Sequence, residues 1–177
     1  MQGMIYSYYV VVPHKVNENG QFPNSDLPVL HYKKAFDSPW FFPVFRVKRL
    51  LARNGWRNAR VNDVHNEEHY HSNTHELLGI IRGKIRMQVG GNAGVELVLC
   101  KGDILLIPAG IAHKKLQTTE YFSCIGAYPD GVEFDLNYQK YEQHSSEAEK
   151  IKSVSIPDRD PVTGQLGKLH QFWVNQL

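Results

Sequence analysis

The chain has 177 residues, 42% of them hydrophobic and 21% charged, with a formal net charge of +2. That length suits a single domain that buries roughly 70% of its unfolded surface. The near balance of acids and bases leaves no electrostatic footprint for DNA, RNA or an anionic membrane, so the expected partners are a small molecule or another copy of the chain, and exposed apolar strand faces favour a homodimer.

From the N-terminus, Ser7 to Val12 reads as a strand. The apolar run ends at Pro13, is too short to span a membrane, and lacks the basic flank and small-residue cleavage pattern of a secretory signal. His14 to Pro28 is rich in turn residues and reads as loop. Ser38-Pro39 offers a cap and first helical residue for a helix reaching Ala52 and ending at Gly55, with Pro43 as the alternative start. Its apolar positions are Val44, Val47, Leu50 and Leu51. Its basic positions, Arg46, Lys48, Arg49 and Arg53, read as a solvated face, because no interleaved aromatics or second basic patch accompany them.

At Trp56 the pattern changes to short strands separated by turns, the spacing of a sandwich or barrel. Leu77 to Ile81 is the first clear strand. Ile85, Met87 and Val89 then alternate with Lys84, Arg86 and Gln88, which predicts one buried face and one exposed face. Gly90-Gly91-Asn92 turns the chain, Val95 to Cys100 returns, Lys101-Gly102-Asp103 turns again, and Ile104 to Ile107 is a buried strand. Tyr121 to Tyr128 is the last run. Beyond Pro129, Ser146-x-x-Glu149 caps a short helix before a polar tail that packs over a sheet edge or a neighbouring subunit. Cys100 and Cys124 lie in apolar strands without metal spacing, so they are expected to be reduced core thiols and the location cytoplasmic.

The informative stretch lies between residues 69 and 113. In His69-x-His71 the two imidazoles project on the same side of an extended segment. Ser72, Asn73 and Thr74 favour a turn, which can bring Glu76 back toward them. His113 follows the Pro108-x-Gly110 turn, which can aim a further donor inward. A zinc-protease helix using His71 and His75 fails, because Ser72 stands where that motif needs Glu. His75, on the opposite parity to Glu76, is expected at the rim.

These residues resemble the paired motifs of the cupin superfamily: HxH, four residues, Glu, six residues and Gly83, then Gly102, five residues, Pro108-x-Gly110, two residues and His113. The resemblance implies a mainly β fold, a double-stranded jelly-roll barrel, and a single domain over 1–177. Within it, 1–55 supply an N-terminal strand, loop and helix, 56–128 the barrel and 129–177 a C-terminal extension. It also implies metal ligation by His69, His71, Glu76 and His113. Asp63 and Gln117 depart from the family pattern, replacing a Gly and an Asn at its two edges. Three imidazoles and one carboxylate suit divalent Fe, Mn, Ni, Co or Zn. Tyr70, Asn73, Gln117 and Tyr128 are the further pocket candidates, and Glu67 and Glu68 are near enough in sequence to serve as outer acceptors for the histidines. Chemistry at such a site spans dioxygenase, isomerase and decarboxylase reactions, or non-catalytic binding, sensing or structural roles of the same cavity.

Overall fold

The computed structural model describes residues 8–16, 22–37, 43–138 and 146–174. In chain order the elements are β1 (Val10–His14), β2 (Val29–Lys33), α1 (Pro43–Arg53), β3 (Trp56–Asn62), β4 (Glu76–Arg82), β5 (Lys84–Val89), β6 (Val95–Cys100), β7 (Ile104–Ile107), β8 (His113–Thr118), β9 (Ser123–Pro129), α2 (Ser146–Lys152) and α3 (Lys168–Trp173). The strands form two antiparallel sheets, one ordered β1-β2-β7-β4-β9-β3 and the other β6-β5-β8. This is the mainly β jelly roll that the strand spacing and the motif pair anticipate.

Both faces of the larger sheet are covered, and side-chain alternation sorts its residues between them. Leu78 and Ile80 of β4, Leu105 and Ile107 of β7 and Cys124 of β9 face Ile85, Met87, Val89, Leu97 and Leu99 of the smaller sheet. Leu77, Ile81, Ile104, Leu106, Ile125 and Ala127 face the other way, where Val47 and Leu51 of α1 and Leu169 and Trp173 of α3 cover them. Near-continuous burial along β4 and β7 follows from this two-sided cover. By contrast β5 is covered on one face, which leaves Lys84 and Arg86 exposed as the alternation predicts.

The structure refines the sequence expectation at the first strand, the first helix and the tail. The first strand runs through Pro13, which is tolerated because β1 is the edge of its sheet and Pro13, paired with Leu30, needs no second partner. The helix starts at Pro43, the later of the two starts, and the Ser38-Pro39 cap lies outside the described residues. The tail lies over a sheet face rather than an edge, and Asp160 holds it there. Its carboxylate, fully buried, accepts hydrogen bonds from Tyr32 Oη (2.9 Å) and from the backbone N–H groups of Val162 (2.8 Å), Thr163 (3.0 Å) and Leu169 (3.0 Å). Trp173 Nε1 also donates to the Pro28 carbonyl at 2.9 Å.

Candidate metal centre

His69, His71, Glu76 and His113 converge at one end of the space between the sheets. Backbone hydrogen bonds exchanged between His69 and His113, at 3.2 and 2.8 Å, lock those two segments together and bring their rings to 4.3 Å between centroids. The Gly110 N–H donates to the His71 carbonyl at 2.8 Å, so the Pro108–Gly110 turn braces the other histidine. Gly110 has φ +85, and a Cβ there would lie 2.6 Å from the Asn24 carbonyl oxygen, so a side chain is excluded on two counts. Glu76 opens β4 on the parity of Leu78 and Ile80, and therefore points between the sheets.

The tautomers follow from the hydrogen bonds. His69 Nδ1 meets the Glu67 carbonyl at 3.0 Å, His113 Nδ1 meets the Ile111 carbonyl at 3.1 Å, and His71 Nδ1 meets the Asp135 carbonyl. A carbonyl only accepts, so each Nδ1 carries the hydrogen and each neutral ring presents its Nε2 lone pair to the centre. The outer acceptors are thus backbone carbonyls, not the Glu67 and Glu68 side chains. One donor atom from each of the three rings lies within 4.8 Å of the others. Glu76 Oε2 is 3.0 Å from His113 Nε2 and 3.3 Å from His71 Nε2, yet Oε2 and His71 Nε2 are buried without a hydrogen-bond partner. Buried polar atoms in this state are costly, and a cation between them satisfies both. The donor set therefore fits a divalent transition ion.

Electrostatics sets the charge on each donor. Burial, reinforced by neighbouring His113, pushes the His69 imidazole down to about 3, which keeps its lone pair available at neutral pH. Burial opposes charge on His71 also, but the Glu76 carboxylate outweighs it and raises that imidazole above its ordinary value. Burial alone would raise Glu76, whereas His71 and His113 hold its carboxyl well below the usual range. Glu76 is thus an anion in the protein interior, which a cation among the imidazoles would balance.

The cavity at these donors has a volume of about 30 Å³, room for an ion with one or two water-sized ligands. Tyr128 forms part of its wall and donates from Oη to Glu76 Oε1 at 3.1 Å, leaving Oε2 for the centre. The other three pocket candidates lie outside the lining. Tyr70, of opposite parity to its flanking histidines, packs against Phe22. Asn73 is engaged by residues 133 and 135, donating to the Glu133 carbonyl and accepting from the Asp135 N–H. Gln117 is exposed on β8. Asp63 and His65 border the cavity and are exposed.

His75 departs from its expected place at the rim. It points away from the centre as the alternation requires, but that direction leads into the second core, where its ring lies 4.8 Å from Trp173 and its Nδ1 accepts the Ala109 N–H at 3.0 Å.

Phe134, Asp135 and Leu136 contribute to the site without having been singled out in the sequence. Phe134 stacks on Tyr128 at 4.7 Å and lies edge-on to His71 at 5.0 Å, and Leu136 completes the wall. The Asp135 carboxylate accepts from the Ser72 N–H (2.7 Å) and from Lys150 Nζ (2.7 Å), which ties α2 to the loop bearing His71. Paired hydrogen bonds of 3.0 Å between Tyr70 and Asn137 seal the segment in place. The readable signal was the alternation of Val132, Phe134, Leu136 and Tyr138.

Residues 60–120, a span holding all four donors, match the family model described as Cupin domain. Over 158 residues the chain is 35% identical to the uncharacterized protein YjlB of Bacillus subtilis (strain 168), covering 89% of this chain and 93% of that protein. Among solved structures, WlaRA, a TDP-fucose-3,4-ketoisomerase from Campylobacter jejuni, aligns at 11% identity over 74% of this chain and 89% of its own, with a TM-score of 0.43. Acireductone dioxygenase from Bacillus anthracis, with a cadmium ion in its active centre, aligns at 17% identity over 51% of this chain and 61% of its own, with a TM-score of 0.38. Likeness at those scores carries no reaction across.

Proposed function

The chain belongs to the cupin family, and we propose that it is a metal-dependent member acting on a small oxygen-rich or anionic molecule, as a dioxygenase, isomerase or decarboxylase. One observation carries the reading: three Nε2 lone pairs and an orphaned carboxylate oxygen face one buried point, while every outward Nδ1 hydrogen is already committed to a carbonyl.

In this reading His69, His71, Glu76 and His113 hold a divalent Fe, Mn, Ni, Co or Zn ion, which when bound supplies Lewis acidity or a docking point for dioxygen. Ion and Glu76 together sum to about +1 by formal charge counting, which favours an anionic or enolisable oxygen donor. Tyr128 keeps Glu76 oriented, and Phe134, Leu136 and Leu78 shield the centre from bulk water. Substrate approaches past Asp63, His65 and Leu136, the exposed residues of the lining. The chain acts as a single cupin domain and as a cytoplasmic homodimer. Exposed Val98 and Leu116 on the strands of the smaller sheet support a second copy.

The cavity of about 30 Å³ favours one competing reading, a cupin that binds a small ligand without turning it over. Apoprotein reloaded separately with each of the five metals and offered hydroxy acids, diketones and sugars, with dioxygen uptake and product followed by NMR, separates the two. Metal-dependent turnover that disappears in Glu76→Gln supports catalysis. Saturable ligand binding without turnover supports the binding module. Failure to take up any of the metals contradicts the metal-dependent reading and leaves binding without metal.

A further inference from the structure

The longest run of one-signed charge in the chain is not at the metal centre. Residues 43–62 contain six basic residues and no acidic one in a protein of net charge +2, so the remainder is net acidic. On α1, Arg46, Arg49 and Arg53 follow one another at spacings of three and four, which puts them on one stripe, and all three are exposed. The stripe ends at a polar cleft of about 230 Å³, far larger than the metal cavity.

Arg53, Arg57 and Arg159 line this cleft together with Asp130 and Asp158. Its floor is Gly55, at φ +83, where a Cβ would stand 3.9 Å from Arg159 Cδ on one side and 3.9 Å from Asp130 Oδ1 on the other. The frame is rigid. Trp56 Nε1 donates to the Arg159 carbonyl at 3.1 Å, the Asp130 N–H donates to the Gly55 carbonyl at 2.8 Å, and Arg159 Nη1 reaches the Arg53 carbonyl at 3.3 Å. Although both signs of charge meet here, none of the five charged residues forms an ion pair within 4.0 Å among the described residues. Guanidinium forks suit a phosphate or carboxylate, and unpaired carboxylates beside them suit hydroxyl donors on the same molecule. The arginine stripe adds a positive field that concentrates anions at the cleft mouth.

We infer that the cleft between the end of α1, the β3–β9 corner and residues 157–159 binds a small oxyanion carrying adjacent hydroxyl groups, independently of the metal centre. The arginines take the oxyanion, and Asp130 and Asp158 take the hydroxyls.

Amide NMR titration of the whole protein at ~20 mM salt, where screening is weak, tests this with glycerol 3-phosphate, inorganic phosphate and glycerol. The expected result is saturable binding of glycerol 3-phosphate, about threefold or more tighter than inorganic phosphate, with shifts centred on Gly55, Arg57 and Arg159. Arg57→Gln should weaken it about tenfold, while Arg46→Gln, on the stripe but outside the cleft, should change it less than about twofold. Asp130→Asn, which keeps a residue at ease with the φ of +52 found there, should abolish the preference over inorganic phosphate. Unchanged metal uptake in these variants shows that they are folded and that the two sites are separate. No saturable shift by about 20 mM ligand, or equal losses in Arg46→Gln and Arg57→Gln, overturns the site. A preference that persists in Asp130→Asn overturns the hydroxyl assignment.

Discussion

Replacing Tyr128 with Phe removes one oxygen atom and tests how the carboxylate of the centre is held. Tyr128 is 2% exposed, its ring is stacked on Phe134, and its hydroxyl reaches Glu76 Oε1 at 3.1 Å. Phe keeps the stacking, so the loss is confined to a buried hydrogen bond to a charged acceptor, about 1.5–3 kcal/mol. For a chain of this length each kcal/mol moves the melting temperature by about 2–4 °C, so the metal-free variant should melt about 3–12 °C lower. Without its donor the carboxylate also turns more freely, and outer-shell partners of this kind carry about 10–100-fold in metal affinity. Melting of chelator-stripped protein and competition against a chromophoric chelator measure the two effects separately. Wild-type values in both would refute the claim that Tyr128 orients Glu76.

Two further substitutions probe what surrounds the centre. His75→Ala should leave metal content nearly intact while lowering stability by about 1–3 kcal/mol, since it strips the Ala109 N–H of its acceptor and Trp173 of its neighbour; metal loss matching that of His71→Ala would make His75 a ligand. Asp160→Ala should cost about 3–5 kcal/mol in urea unfolding, because Tyr32 Oη and the Leu169 N–H are left buried without an acceptor, and an unchanged midpoint would show that the tail is not held there.

The barrel and the donors at its centre were legible because their determinants are local. Alternation sorts β5, runs bounded by glycine turns mark β6 and β7, and the four donors sit at fixed offsets from the turns that aim them. Tyr70 was placed among the pocket candidates against its own parity: it falls between two inward histidines and packs on Phe22 instead. What escaped depends on pairings distant in sequence. Nothing near Asp160 announces that its acceptors serve Tyr32, 128 residues away. His71 likewise finds its carbonyl 64 residues on, in a segment whose alternating apolar residues were visible but whose partner was not. His75 went astray for a related reason: facing away from the metal means facing solvent only if that sheet face is bare, and α3 covers it. The basic helix shows the same limit, because Arg159 arrives beside Arg53 from 106 residues away.

The central claim is that His69, His71, Glu76 and His113 hold a metal ion, and elemental analysis tests it most directly. Protein purified without a metal-affinity tag should carry near-stoichiometric Fe, Mn, Ni, Co or Zn, directly or after reconstitution, and His71→Ala should lose it while keeping its β-sheet circular dichroism. A native protein that neither contains nor takes up any of these metals, or a His71→Ala variant that retains the full complement, would contradict the account.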